Sequence, residues 1–164
     1  LREAQAHVRL LPLCNCTNDI DVCVVGNCLG IIANMALDSS ISQSLIELDI
    51  LDTIVHLREL FSNVHVLRNC TKTIKVIAQQ DEVKCATIVL HGEMMSTLIK
   101  CVEDEDDNIV VENVLAVFAT ASIQADHHII LLEAGVVACV LHLCKYRAFG
   151  RSGIFNIIPV PARS

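Results

Sequence analysis

Tryptophan is absent from this 164-residue sequence, and only five aromatic residues occur in all. Three of those, Tyr146, Phe149 and Phe155, fall in the last nineteen residues, so the body of the chain must build its core from Val, Ile, Leu, Ala and Cys. Side chains of that size suit thin helical layers in close approach, which large rings would hold apart. Basic clusters are missing too: the lysines stand apart at positions 72, 75, 84, 100 and 145, and the formal net charge is −7. A surface that neutralises phosphates needs grouped Lys and Arg, which argues against nucleic acid and for a neutral or basic protein partner. Also lacking are the spacings that fix catalytic geometry. There is no G-x-S-x-G, P-loop, Rossmann glycine triplet or H-E-x-x-H, so no catalytic residue and no cofactor are predicted.

No apolar run is long enough for a membrane. Sixteen uncharged residues separate Asp21 from Asp38. At about 1.5 Å each they reach roughly 24 Å, short of the ~30 Å hydrocarbon layer, and Asn27 and Asn34 would lie inside it. A buried helix is the better reading, with Gly26 and Gly30 letting a neighbouring helix approach. Nine cysteines without a signal sequence predict reduced thiols in a cytoplasmic or nuclear protein. The sequons at Asn15 and Asn69 are read as chance. Two groups can be drawn as zinc ligands, His7 with Cys14, Cys16, Cys23 and Cys28, and His127 with His128, His142 and Cys144. Neither has the paired C-x2-C spacing of a structural zinc site, so no metal is assigned, and the thiol-redox reading rests on Cys14 and Cys16 alone.

What the chain does contain is a repeat. The segments EAQAHVRLLPLC from Glu3, ELDILDTIVHLREL from Glu47, HGEMMSTLIKCV from His91 and EAGVVACVLHLC from Glu133 share one pattern. Their apolar pairs Leu10/Leu11, Ile54/Val55, Leu98/Ile99 and Val140/Leu141 are 44, 44 and 42 residues apart. That is the length of a two- to three-helix solenoid unit, longer than the ~33 to 34 residues of ankyrin or tetratricopeptide units. Between them recurs a longer stretch, VCVVGNCLGIIANMA from Val22, VHVLRNCTKTIKVIA from Val64 and NIVVENVLAVFATAS from Asn108. Helical spacing puts Val24, Cys28, Ile31, Ile32 and Met35 of the first copy on one apolar face, with Val66, Cys70, Ile74 and Ile77, then Val110, Val114, Val117, Phe118 and Ala121, in the others. ISQSLIEL, DEVKCATIVLHG and ADHHIILLEAG mark a short helix before each turn, with the His127 and His128 pair starting the last one at the solvent edge.

The order short helix, tight turn, amphipathic helix, loop, long helix resembles the armadillo repeat family, with the related HEAT repeat as the alternative. The segment Glu133 to Val137 carries the resemblance most strongly, supported by Asn34 to Ala36 at the end of the first long helix. The turn glycine is Asp49 in one unit and Gln5 in another. The resemblance implies an all-α, right-handed α-solenoid, incomplete at both ends, with residues 1–146 as repeat segment: a partial unit 1–38, units 39–81 and 82–125, and a partial unit 126–146. Residues 147–164, with two glycines, two prolines and no helical stripe, are expected to be a flexible, non-repeat tail. Exposed apolar surface is expected where capping units are missing. The parent protein is expected to continue beyond this piece.

The resemblance also implies a non-catalytic scaffold that takes an extended peptide or a partner helix along the concave surface. Asn27, Asn69 and Asn113 hold the same position in successive long helices and, with Asn34 and Lys72, are the candidate contacts. A carboxamide both donates and accepts, so such a column can pair with a peptide backbone of any sequence. Alternatively these asparagines bond neighbouring helices and the segment is purely structural. Glu103, Asp104, Glu105, Asp106 and Asp107 form an acidic run that is either a dock for a basic segment or a solvated loop, with Asp107 or Asn108 capping the next helix.

Overall fold

The structure is a computed structural model that describes residues 6–15, 21–104 and 106–150. Among the described residues there are ten α-helices, one 3-10 turn and no strand. In chain order they are α1 (Ala6–Asn15), α2 (Val22–Met35), α3 (Ser39–Glu47), α4 (Ile50–Leu60), α5 (Val64–Ala78), α6 (Glu82–Leu90) and α7 (Met94–Asp104). Then follow α8 (Asn108–Ala121), the 3-10 turn Ala125–His127, α9 (His128–Glu133) and α10 (Val136–Gly150).

The helix starts are written locally. Asp21, Asp38, Asn63, Asp81 and Asp107 each accept a backbone N–H of the first turn at 2.8 to 3.2 Å, which satisfies donors that a helix leaves unpaired. Two of the tight turns before a middle helix use a left-handed residue, whereas the turn before α7 has none. Gly135 supplies it before α10 with φ 85°, and Asp49 does so before α4 with φ 58°.

The long helices α2, α5 and α8 lie side by side, and each also packs on the middle helix of its own unit, α1, α4 and α7. The core between them is aliphatic, with Leu29, Ile32, Leu45, Ile50, Leu57, Leu67, Ile74, Ile77 and Leu98 fully enclosed. Cys28, Cys70, Cys101 and Cys139 are buried among them as small apolar groups.

Two residues depart from the expected core. Val24 and Ile31 of α2 are 46% and 48% exposed, although their counterparts Val66 and Thr73 on α5, and Val110 and Val117 on α8, are buried. The difference is the neighbour: α5 has α2 and α8 has α5 against that side, whereas no described helix lies there on α2. At the other end α10 continues to Gly150, so residues 147–150 of the expected tail are helical, and residues 151–164 lie outside the described residues. His127 is buried rather than at the solvent edge, its Nδ1–H donating to the Ala121 carbonyl at 3.1 Å. No single described helix is long and apolar enough to cross a membrane.

Candidate functional site

One turn at a time, Gly26 faces His65, Gly30 faces Asn69 and Asn34 faces Lys72, so α2 and α5 run parallel and in register. A Cβ at Gly26 would meet the exposed His65 ring, which would have to turn aside. This register brings the expected contacts of the first two units to one seam. Asn27 and Asn34 are exposed on α2, Asn69 and Lys72 are half-buried on α5, and Lys72 Nζ donates to Asn34 Oδ1 at 2.7 Å. His65 Nε2 lies 3.4 Å from Asn27 Oδ1.

The asparagine column, however, does not present three equal side chains. Asn69 Nδ2 donates to the Gly26 carbonyl at 2.9 Å, and Asn113 Nδ2 approaches the Arg68 carbonyl at 3.4 Å and Thr71 Oγ1 at 3.3 Å. Gly26 and Arg68 are equivalent positions, so each asparagine bonds the same backbone atom of the preceding long helix. Asn113 is only 4% exposed, which removes it from the candidate contact surface. Its placement follows from α5 closing over it, a neighbour relation that the repeat spacing does not contain.

The acidic run is divided as well. Asp104 at the end of α7 pairs with Arg58 of α4, and Asp107 pairs with Arg68 of α5 through Nε at 3.1 Å and Nη2 at 2.6 Å. Asp107 therefore caps α8 and ties it to the previous unit at once. The Arg68 guanidinium holds the Asp107 carboxyl down at about 2, helped by the N–H groups of Val110 and Ile109. Glu103 and Asp106 are exposed, and Glu105 lies outside the described residues.

A second polar cluster carries no sequence motif beyond Asp81 and Lys84 standing one turn apart. Lys84 Nζ is buried and donates to Ser39 Oγ at 2.7 Å, Gln80 Oε1 at 3.0 Å and Asp81 Oδ2 at 3.0 Å. Gln80 also accepts from Ser42 at 2.6 Å and donates through Nε2 to the Ala36 carbonyl. In the sequence Lys84 is one of five scattered lysines with nothing to mark it, and in the fold it fastens α6 to the start of α3.

Burial, and then the neighbouring Cys28, push the Cys14 thiol up to about 12, which keeps it protonated at neutral pH and unsuited to redox attack. Cys16 lies outside the described residues. Among the described residues no three His, Cys, Asp or Glu side chains converge to hold a metal ion.

A designed armadillo repeat protein superposes with a TM-score of 0.71 over 87% of this chain, at 25% sequence identity. The fold is an armadillo-like helical repeat. This chain spans 61% of that designed protein's length. No protein-family model and no curated protein matches the sequence. Within the armadillo-like frame, α2, α5 and α8 are the third helices of successive units, and the seam of Asn27, Asn34, Asn69 and Lys72 lies between the first two.

Proposed function

We propose that this chain is a non-catalytic protein-binding scaffold that holds an extended segment of a partner along the α2–α5 seam. The observation that carries this reading is the Asn34–Lys72 pair at 2.7 Å, in which two successive units present a carboxamide and an ammonium together on an exposed surface. Asn27, two helical turns before Asn34 on the same stripe, supplies a further exposed amide. Backbone C=O groups of an extended segment would accept from Lys72 and the Asn Nδ2 groups, and its N–H groups would donate to the Asn oxygens. Exposed polar side chains on a rigid helical scaffold are suited to this because little must be ordered on binding. A cytoplasmic or nuclear setting agrees with the reduced-thiol reading of the cysteines.

The purely structural reading is favoured at two of the three asparagines. Asn69 and Asn113 spend their Nδ2 groups on the preceding helix, so that part of the column holds the stack together. The two readings separate in one experiment. Peptides selected on the intact chain from a displayed library are measured against the triple variant Asn27→Ala, Asn34→Ala, Lys72→Ala, with melting measured in parallel. A loss of affinity of at least tenfold at unchanged melting temperature supports the seam. Selected peptides that bind both proteins equally would rule it out.

A further inference from the structure

Because the units repeat, a surface left open in one can be compared with the same surface where it is covered. Val137 and Leu141 of α10 are 49% and 56% exposed, while Leu51 and Val55, at the same positions of α4, are 4% and 8% exposed. On α8, Ala119 and Ser122 are exposed, while Ala33 and Ala36 at the same positions of α2 are fully buried. In the earlier unit α5 lies across both α2 and α4, and in the next α8 lies across α5 and α7. The matching seat between α8, α9 and α10 is a groove of about 600 Å³ walled by Leu115, Phe118, Leu132, Val137, Val140 and Leu141.

We propose that this groove docks an amphipathic α-helix of about four turns from another protein, lying parallel to α8 as α8 lies parallel to α5. Its shape follows from the helices that fill the equivalent seats: α5 buries Val66, Leu67, Cys70, Ile74 and Ile77 as one stripe. Its charge follows from the residue it meets. Arg68 on α5 receives Asp107, the N-cap of the covering helix, but the same position on α8 is the exposed Glu112. A helix seated on α8 therefore carries an uncharged N-cap and basic residues in its first turns. An acidic N-cap like that of α8 itself would face a like charge.

Two peptides from the chain itself are suitable probes. The α5 peptide, residues 63–79, has an Asn N-cap and carries Arg68, Lys72 and Lys75 with no carboxylate side chain. The α8 peptide, residues 107–122, carries Asp107 and Glu112 with no basic residue. Fluorescence anisotropy with the intact chain at low salt is expected to show the α5 peptide binding at least tenfold tighter than the α8 peptide. Leu141→Asp should weaken the α5 peptide at least tenfold without altering melting, since that side chain is already exposed, and Val137→Asp serves in its place if melting falls. Glu112→Lys should reverse the preference between the peptides. The proposal is overturned if the α5 peptide fails to bind, binds Leu141→Asp and Val137→Asp as it binds the parent, or is not preferred. It is also overturned if sedimentation finds a dimer that Leu141→Asp dissolves, which gives the groove to a second copy. Peptide binding that appears only when residues 151–164 are removed would give it to the chain's own end.

Discussion

Replacing the asparagines of the column one at a time tests whether repeat equivalence or local packing governs their roles. Asn27, Asn69 and Asn113 occupy one repeat position, so a single role would predict three similar effects. The structure gives them different surroundings. Asn27 is exposed with one long contact to His65, and Asn27→Ala should change stability by no more than about 0.5 kcal/mol. Asn69 makes a half-buried bond of 2.9 Å to the Gly26 carbonyl, and its loss should cost about 1 kcal/mol. Asn113 is buried, with two longer bonds to Arg68 O and Thr71 Oγ1. Its truncation removes both and leaves a gap beneath α5, about 1 to 2 kcal/mol in total. Urea unfolding followed by circular dichroism measures the series, using midpoints at a shared slope. Equal losses at all three positions, or a neutral Asn113→Ala, would refute the assignment of Asn113 to the stack.

Three further outcomes follow from the same structure. The folded Asp107 carboxyl is held at about 2 against an ordinary 3.8, so its contribution is present above pH 4 and disappears as pH falls from 4 toward 2. Arg68→Ala should therefore melt below the parent at pH 6, and the two melting temperatures should converge as pH falls toward 2; a gap that persists unchanged at pH 2 counts against the pair. Lys84→Met should destabilise by about 1 kcal/mol because the bonds from the buried ammonium to the exposed Ser39 and the half-buried Gln80 are lost, and an unchanged denaturation midpoint would show that the cluster is not a fastening. Asp49 takes the left-handed conformation without a side-chain cap bond, so Asp49→Gly should be neutral or stabilising by up to about 1 kcal/mol while Asp49→Val should cost about 1 to 2 kcal/mol; thermal melting in the reverse order would contradict the strained turn.

The sequence by itself determined the helical class and the unit length, and it located the long helices, because apolar spacing and capping residues are local. The stretches read from Val22, Val64 and Asn108 are the starts of α2, α5 and α8, each preceded by an Asp or Asn that accepts first-turn N–H groups. The small buried cysteines were legible for the same reason: their positions recur in phase with the apolar stripe. Only the tertiary structure decided which equivalent residues share a fate. Val24 and Val66 have the same place in their repeats, yet one is open and the other enclosed, since burial depends on whether a helix lies alongside. The division of the asparagine column, the capture of Asp104 and Asp107 by arginines 46 and 39 residues away, and the burial of Lys84 all arise between units. A periodic sequence specifies each unit's own faces, but the partner that meets each face is set by the stacking.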